Sequence, residues 1–255
     1  MVYEMPSRVG FSEINMKGVL SIESLINKLQ DACSFHSDEV GYGLGWLSDR
    51  GLGWYITNWQ LKINSLPKYG DKIIVSTWPY SFQGMFSKRN FTVSSDSGER
   101  LVEVDSLWIL MDLKNVKPCR IPKDMVGAYG EVVPMLEGDW APRKIPLFPM
   151  EDYRDGFEVT VSAIHLDTNQ HMNNAYYIGI ARNLVPKGEK VFGIRTEYKK
   201  SARLGDIIKT KSATKDGVVQ VIMENAGACD GDKPDQFAVV EFLIYPERAK
   251  IPPEV

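Results

Sequence analysis

The 255-residue chain holds three cysteines and three histidines, has no run of about eighteen apolar residues, and carries a net charge of only −3. Each shortage excludes something. Cys33, Cys119 and Cys229 are odd in number and lack metal-ligand spacing, which disfavours a disulfide framework or a metal centre and fits a reducing, cytoplasmic setting. No stable membrane insertion is expected, and the opening MVYEMPSRVGF, with Glu4 and Pro6, suits neither a secretory signal nor a transit peptide. Near-balanced charge gives no general affinity for polyanions, so no nucleic acid is expected as a partner. What is present, 44% hydrophobic and 25% charged residues, is ordinary for a soluble globular protein with one large or two small domains.

The chain repeats itself. WQLKINSLPKYGDKIIVSTW and IRTEYKKSARLGDIIKTKSA align when Gly70-Asp71 is laid over Gly205-Asp206, pairing Trp59 with Ile194, Leu61 with Thr196 and Ile63 with Tyr198. Each copy runs strand, turn, strand and then a hairpin signal, at Gln83-Gly84 and at Asp216-Gly217. Two further strands follow in each, over 84–94 and 100–112, then 217–226 and 236–245. Upstream of each set lies one strand and one helix. Ser21 is placed to cap a helix with Ile22, Leu25, Ile26, Leu29, Ala32 and Cys33 on one face. Asn173 or Asn174 is placed to cap a second, over 174–185, with Tyr177, Ile180, Ala181 and Leu184 inward and Pro186 and Gly188 as the stop. Strand, helix and four strands therefore occur twice, and a curved antiparallel sheet is the natural cover for each amphipathic helix. The pattern divides the chain into 1–133, a Pro-rich extended linker over 134–150, and 151–255.

LDTNQHMNNAYYIG, residues 166–179, is the richest stretch in chemistry. Asp167, Asn169 and His171 alternate, so they read as one strand face that His165 shares, immediately before a helix N-terminus. An acceptor, an amide and a group that titrates near neutrality, beside helix-end N–H groups that favour developing negative charge, suit acyl transfer or hydrolysis. Taken singly each residue also has a structural use, as turn former, cap or buried hydrogen-bonding side chain. For Asn174 capping is the favoured role. His36 has no polar constellation around it and reads as structural. Trp46, Trp54, Trp59 and Trp78 read as core.

The motif is similar to the Asp-x-Asn-x-His-x-Asn-Asn signature of the acyl-acyl carrier protein thioesterases, bacterial and plant plastid alike. EYKK at Glu197–Lys200 resembles the family's Glu-Tyr-Arg-Arg segment, and WYITNWQLKINSLPKYGDKIIVSTWP resembles its N-terminal strands. The resemblance spans nearly the whole chain. It implies an α+β fold, a tandem (double) hotdog in which a long central α-helix is wrapped by an antiparallel β-sheet in each half. It implies hydrolysis of fatty acyl-acyl carrier protein without cofactor or metal, with Asp167, Asn169 and His171 catalytic and the N-terminal hotdog holding the acyl chain. Plant members continue Glu-Tyr-Arg-Arg with Glu-Cys, to which catalytic roles are assigned. Ser201 and Ala202 stand here, so a cysteine nucleophile does not carry over, and Ser201, Asn173 and Glu197 are left as candidate supporting residues.

Aligning the helices sets Asn15, Lys17 and Val19 opposite Asp167, Asn169 and His171, which leaves the first copy without a base. Seven cations between Arg182 and Arg203, against two Glu, would attract an acidic acyl carrier protein, the expected partner. Whether the chain acts alone or as a homodimer is open. So are an acyl-CoA thioesterase, a hotdog dehydratase and a non-catalytic acyl-binding module. Asp167 attacking directly or through water is equally open.

Overall fold

The computed structural model describes residues 1–230 and 233–245, which fall into two compact units, Met1–Arg143 and Lys144–Val255. The first unit runs β1 (Tyr3–Arg8), α1 (Ile22–Glu39), α2 (Leu44–Asp49), β2 (Leu52–Ile63), β3 (Lys72–Gln83), β4 (Phe86–Ser95), β5 (Arg100–Asp112), β6 (Lys117–Pro118) and α3 (Lys123–Ala128). Its strands pair antiparallel in the order β1-β3-β4-β5-β2, with β6 on β5. The second runs β7 (Arg154–Thr160), α4 (Asn174–Arg182), β8 (Val191–Tyr198), β9 (Ile207–Lys215), β10 (Val218–Asp230) and β11 (Lys233–Ile244). Its order is β7-β9-β10-β11-β8, also antiparallel throughout. Strand for strand the two orders are the same, and each unit is a hotdog: one helix laid against a five-stranded antiparallel sheet.

Local chemistry explains the elements. Ser21 Oγ accepts from the Ser24 N–H at 3.1 Å and starts α1, whose residues Ile22, Leu25, Ile26, Leu29 and Ala32 are buried at helical spacing. The helix lies against β1 and β3, over a core in which the Trp59 ring meets Phe91 and Trp108 at 5.5 and 5.8 Å. Trp46 and Trp54 pack instead on a smaller cluster of Leu47, Leu110, Ile121, Met125 and Tyr129 under α2 and α3. Asp216 and Gly217, both at positive φ, join β9 to β10 in a two-residue turn, as their sequence signals. In the second unit α4 is shorter than its pattern. It ends at Arg182 with Asn183 as C-cap, and Leu184 and Val185 continue the apolar face outside the helix. The central helix is therefore long only in the first unit.

The Pro-rich stretch has no strand or helix of its own before Met150, yet it is strapped to polar side chains of the sheets. Trp78 Nε1 donates to the Pro134 carbonyl, Gln60 Nε2 to Ala141 and Asn58 Nδ2 to Arg143, at 2.7–3.0 Å. In the second unit Gln220 Nε2 donates to the Pro146 carbonyl. These partners satisfy carboxamides buried within the strands, which would otherwise be costly. His36 also gains partners that its sequence neighbours do not supply. It is fully buried, its Nδ1 accepts from Arg89 Nη1 at 3.1 Å, and its ring stacks on Tyr3. Among the described residues no helix is long and apolar enough to cross a membrane, and no cluster of His, Cys, Asp or Glu could hold a metal ion.

Candidate active site

After β7 the chain makes a 3-10 turn at Ala163–His165, and an antiparallel bridge between Leu166 and Met172 then closes a five-residue loop, Asp167–His171. Within it the Asp167 N–H donates to the His171 carbonyl at 2.8 Å and the Gln170 N–H to the Asp167 carbonyl at 3.0 Å. Asp167 Oδ1 accepts from two backbone N–H groups, those of Asn169 (2.8 Å) and His171 (3.2 Å). Gln170 takes φ +58°, the left-handed turn of the loop. The motif is thus a carboxylate-tied hairpin rather than a strand face, because Asp readily bonds the N–H groups two and four residues on.

The first unit builds the same hairpin. Ile14 bridges Leu20, the Asn15 N–H donates to the Val19 carbonyl at 2.9 Å, and the Gly18 N–H donates to the Asn15 carbonyl at 2.9 Å. Asn15 Oδ1 accepts from the Lys17 N–H at 2.8 Å, and Gly18 sits at φ +73°. Upstream, Glu13 bonds the Gly10 N–H as His165 Nδ1 bonds the Ser162 N–H. Downstream, the Lys68 N–H donates to Asp71 Oδ2 as the Arg203 N–H does to Asp206 Oδ2, both at 2.8 Å. Asn15, Lys17 and Val19 therefore occupy the places of Asp167, Asn169 and His171, as the sequence alignment expects.

This pairing separates architecture from chemistry. One oxygen of Asp167 performs a backbone-tying task that Asn15 performs without charge. What the second hairpin adds is the negative charge, the second carboxylate oxygen, the exposed Asn169 carboxamide and the half-buried His171 imidazole. Burial lowers the His171 pKa, the Arg203 cation lowers it further, and the Asp167 carboxylate opposes both. The imidazole is accordingly neutral at neutral pH and able to take a proton. Arg203 enters the sequence reading only as one charge in a basic stretch; its pairing with Lys68 in the repeat is the signal that places it beside the hairpin.

Other expectations need correction. His165 does not share a strand face with Asp167. It closes the 3-10 turn, and its ring lies edge-on to Tyr176 at 5.0 Å. Asn173, not Asn174, caps α4: its Oδ1 accepts from the Ala175 N–H at 3.0 Å and its carbonyl from the Tyr176 N–H at 3.0 Å. Those two helix-end N–H groups are thereby committed and do not serve as oxyanion donors. Asn174 offers its carbonyl to Tyr198 Oη. Glu197 Oε2 accepts from the Ile145 N–H at 2.9 Å, so it fastens the connector. Ser201 is half-buried next to Ala202, whose side chain is wholly buried. Within the basic stretch, Arg195 pairs with Glu241 and Lys200 with Asp235, which reduces the positive excess that the segment shows in isolation. A cavity of ≈ 840 Å³ opens in the first unit, lined by charged residues such as Lys68, Asp71 and Glu99 together with Leu66, Ile73 and Leu101.

Known proteins resemble the chain along most of its length. The model of the acyl-ACP thioesterase N-terminal domain matches residues 1–129, and that of the C-terminal domain matches 151–237. A chloroplastic acyl-[acyl-carrier-protein] hydrolase of Cuphea viscosissima is 28% identical over 216 residues, covering 79% of this chain and 52% of that protein. The chloroplastic palmitoyl-acyl carrier protein thioesterase of Arabidopsis thaliana is 25% identical over 232 residues, covering 84% and 55%. The chain thus spans about half the length of the curated relatives it matches. Among solved structures, an acyl-ACP thioesterase from Bacteroides thetaiotaomicron superposes with TM-score 0.84 at 18% identity, covering 96% of this chain and 98% of that one. The 12:0-ACP thioesterase of Umbellularia californica gives 0.79 at 20% identity, with 96% and 98% covered. These two likenesses establish the shared double hotdog fold.

Proposed function

The chain belongs to the acyl-ACP thioesterase family, and from that membership we propose that it hydrolyses the thioester joining a fatty acyl group to acyl carrier protein, so ending chain elongation. The observation that carries this reading is that two copies of one hairpin differ in the residues hydrolysis requires: Asp167, Asn169 and His171 against Asn15, Lys17 and Val19.

Thioester hydrolysis needs a deprotonated water, donors for the carbonyl oxygen as it gains charge, and a proton for the departing thiolate. His171, held neutral by burial and by Arg203, is the proposed base, and after taking the water's proton it becomes the acid that protonates the sulfur. Asp167 is the proposed second acceptor for that water through the oxygen not tied to the turn, and its charge steadies the imidazolium. Asn169, whose carboxamide is exposed, is the proposed donor to the carbonyl oxygen, the role the committed α4 N–H groups leave open. Asn173 and Glu197 support by capping and by fastening, not by contact with substrate.

The N-terminal unit, with Val19 where the base would be, is the proposed holder of the acyl chain. Burying about ten methylenes at ~0.8 kcal/mol each is enough to discriminate between chain lengths. The proposed partner is acyl carrier protein. Thiol release from acyl carrier protein and CoA thioesters of graded chain length, measured side by side, tests the reading. Carrier-protein substrates are expected to turn over faster; faster turnover of CoA thioesters would replace the carrier protein with a nucleotide-tailed substrate. An enoyl product would mark a dehydratase, and binding without turnover an acyl-binding module.

A further inference from the structure

A buried tyrosine distinguishes the two hairpins at a point below the motif. Tyr177, on the first turn of α4 and 2% exposed, stands where the first unit has Leu25. Its Oη accepts from the Ala202 N–H at 2.7 Å. Ala202 is itself wholly buried, and its carbonyl accepts from the Met172 N–H at 2.9 Å, at the closing bridge of the hairpin. In the first unit the Leu20 N–H donates to the Pro67 carbonyl at 2.8 Å in the same register. Pro67 has no N–H, and the residue facing it from the helix needs no hydroxyl. Leu25 with Pro67, and Tyr177 with Ala202, are two ways of leaving no buried amide unpaired. Only the second ties helix, loop and hairpin through a directional bond. Tyr198 extends it: its ring lies edge-on to Tyr177 at 5.5 Å and its Oη donates to the Asn174 carbonyl at 2.9 Å, where the first unit has Ile63.

We propose that Tyr177 is a positioning residue of the reaction: its hydroxyl, through the Ala202 amide, fixes how the 201–203 segment meets the Asp167–His171 hairpin and so where Arg203 stands against His171. The proposal rests on the hydrolase reading wherever turnover is the readout. Burial, with Asp206 and Asp167 adding to it, outweighs the Ala202 N–H and pushes the Tyr177 pKa up to about 12, so the hydroxyl stays protonated across the working range.

Proline at position 202 supplies the decisive variant, because Pro67 occupies the corresponding place in the first unit. Tyr177→Phe is expected to lower kcat at least tenfold with KM within about twofold, assayed well below its Tm. Amide exchange at Ala202 and Met172 should quicken at least tenfold. Tyr177→Phe combined with Ala202→Pro removes the stranded N–H together with its lost acceptor, and is expected to recover kcat to within about threefold of the parent. A Tyr177→Phe protein with parental kcat, even at a lower Tm, would make the tyrosine mere core filling and overturn the proposal. So would a folded double variant as slow as the single one, which also decides the matter if Tyr177→Phe alone does not fold. Should the parent chain hydrolyse no acyl thioester, the functional reading falls on its own. Unchanged exchange at Ala202 and Met172 in Tyr177→Phe would then count against the tyrosine separately.

Discussion

Replacing Asp167 by asparagine should separate the turn from the chemistry. Asp167 Oδ1 holds the N–H groups of Asn169 and His171 at 2.8 and 3.2 Å, and in the first unit an asparagine oxygen already holds Lys17 at 2.8 Å. The carboxamide introduced by Asp167→Asn can therefore keep the hairpin closed while removing the charge and the second acceptor oxygen. Tm is expected to stay within about 2 °C of the parent, whereas kcat falls at least ~10²-fold, equivalent to about 2.7 kcal/mol on the barrier. Asp167→Ala strips both bonds as well, at a further cost of roughly 1–3 kcal/mol in local stability, so it confounds the two roles. The assay is thiol release from an acyl carrier protein thioester, paired with calorimetry on the same preparations. An Asp167→Asn protein within threefold of the parent, beside an inactive and less stable Asp167→Ala protein, would show that the aspartate only ties the turn. The catalytic assignment would then be withdrawn.

Other consequences follow from the same geometry. His171→Val copies the Val19 hairpin, so it should fold with parental Tm and lose at least ~10²-fold in turnover; parental turnover would remove the imidazole from the reaction. Because burial and then Arg203 hold His171 below the ordinary histidine range, kcat/KM should rise with pH through a midpoint under that range. Arg203→Gln should move this midpoint upward, and an unmoved midpoint would detach Arg203 from the imidazole. Burial first, then Arg89 and the N-terminal ammonium, push His36 down to about 3. A histidine whose pKa is depressed on folding contributes stability that is complete above its unfolded value and lost as pH falls from there through about 3. Roughly 4–5 kcal/mol is at stake, so urea midpoints followed by tryptophan fluorescence should drop below pH ~6 in the parent and less steeply in His36→Leu. Gly156→Ala would place a Cβ 2.5 Å from Thr210 Oγ1, the hydroxyl that bonds both backbone groups of Phe157. A loss of about 1–3 kcal/mol in urea unfolding is expected, and no loss would mean that β7 yields freely.

Much of this is legible in the amino-acid sequence. The offset that lays Gly205-Asp206 on Gly70-Asp71 follows from residue identity, and it also aligns the loop bonds Lys68–Asp71 and Arg203–Asp206. Ser21 as cap and Asp216-Gly217 as turn are local signals with local causes. The motif misled in one respect. Asp-x-Asn-x-His has the two-residue period of a strand, but the Asp167 side chain reaches the N–H groups of 169 and 171 and bends the chain into a hairpin instead. The second helix misled in another, since apolar residues at Leu184 and Val185 prolong a pattern that the backbone abandons at Asn183.

The order of elements, their duplication and the place of the reactive stretch came from the sequence alone, because each depends on neighbours along the chain: apolar period, turn residues, cap residues. Tertiary structure decided which distant groups meet. Arg89 reaching His36 across 53 residues, Ile145 claiming Glu197 and Tyr177 holding Ala202 all depend on strand register and on how a helix docks against a sheet. A buried donor or acceptor takes whichever partner that packing brings within about 3 Å, and no local pattern encodes the choice.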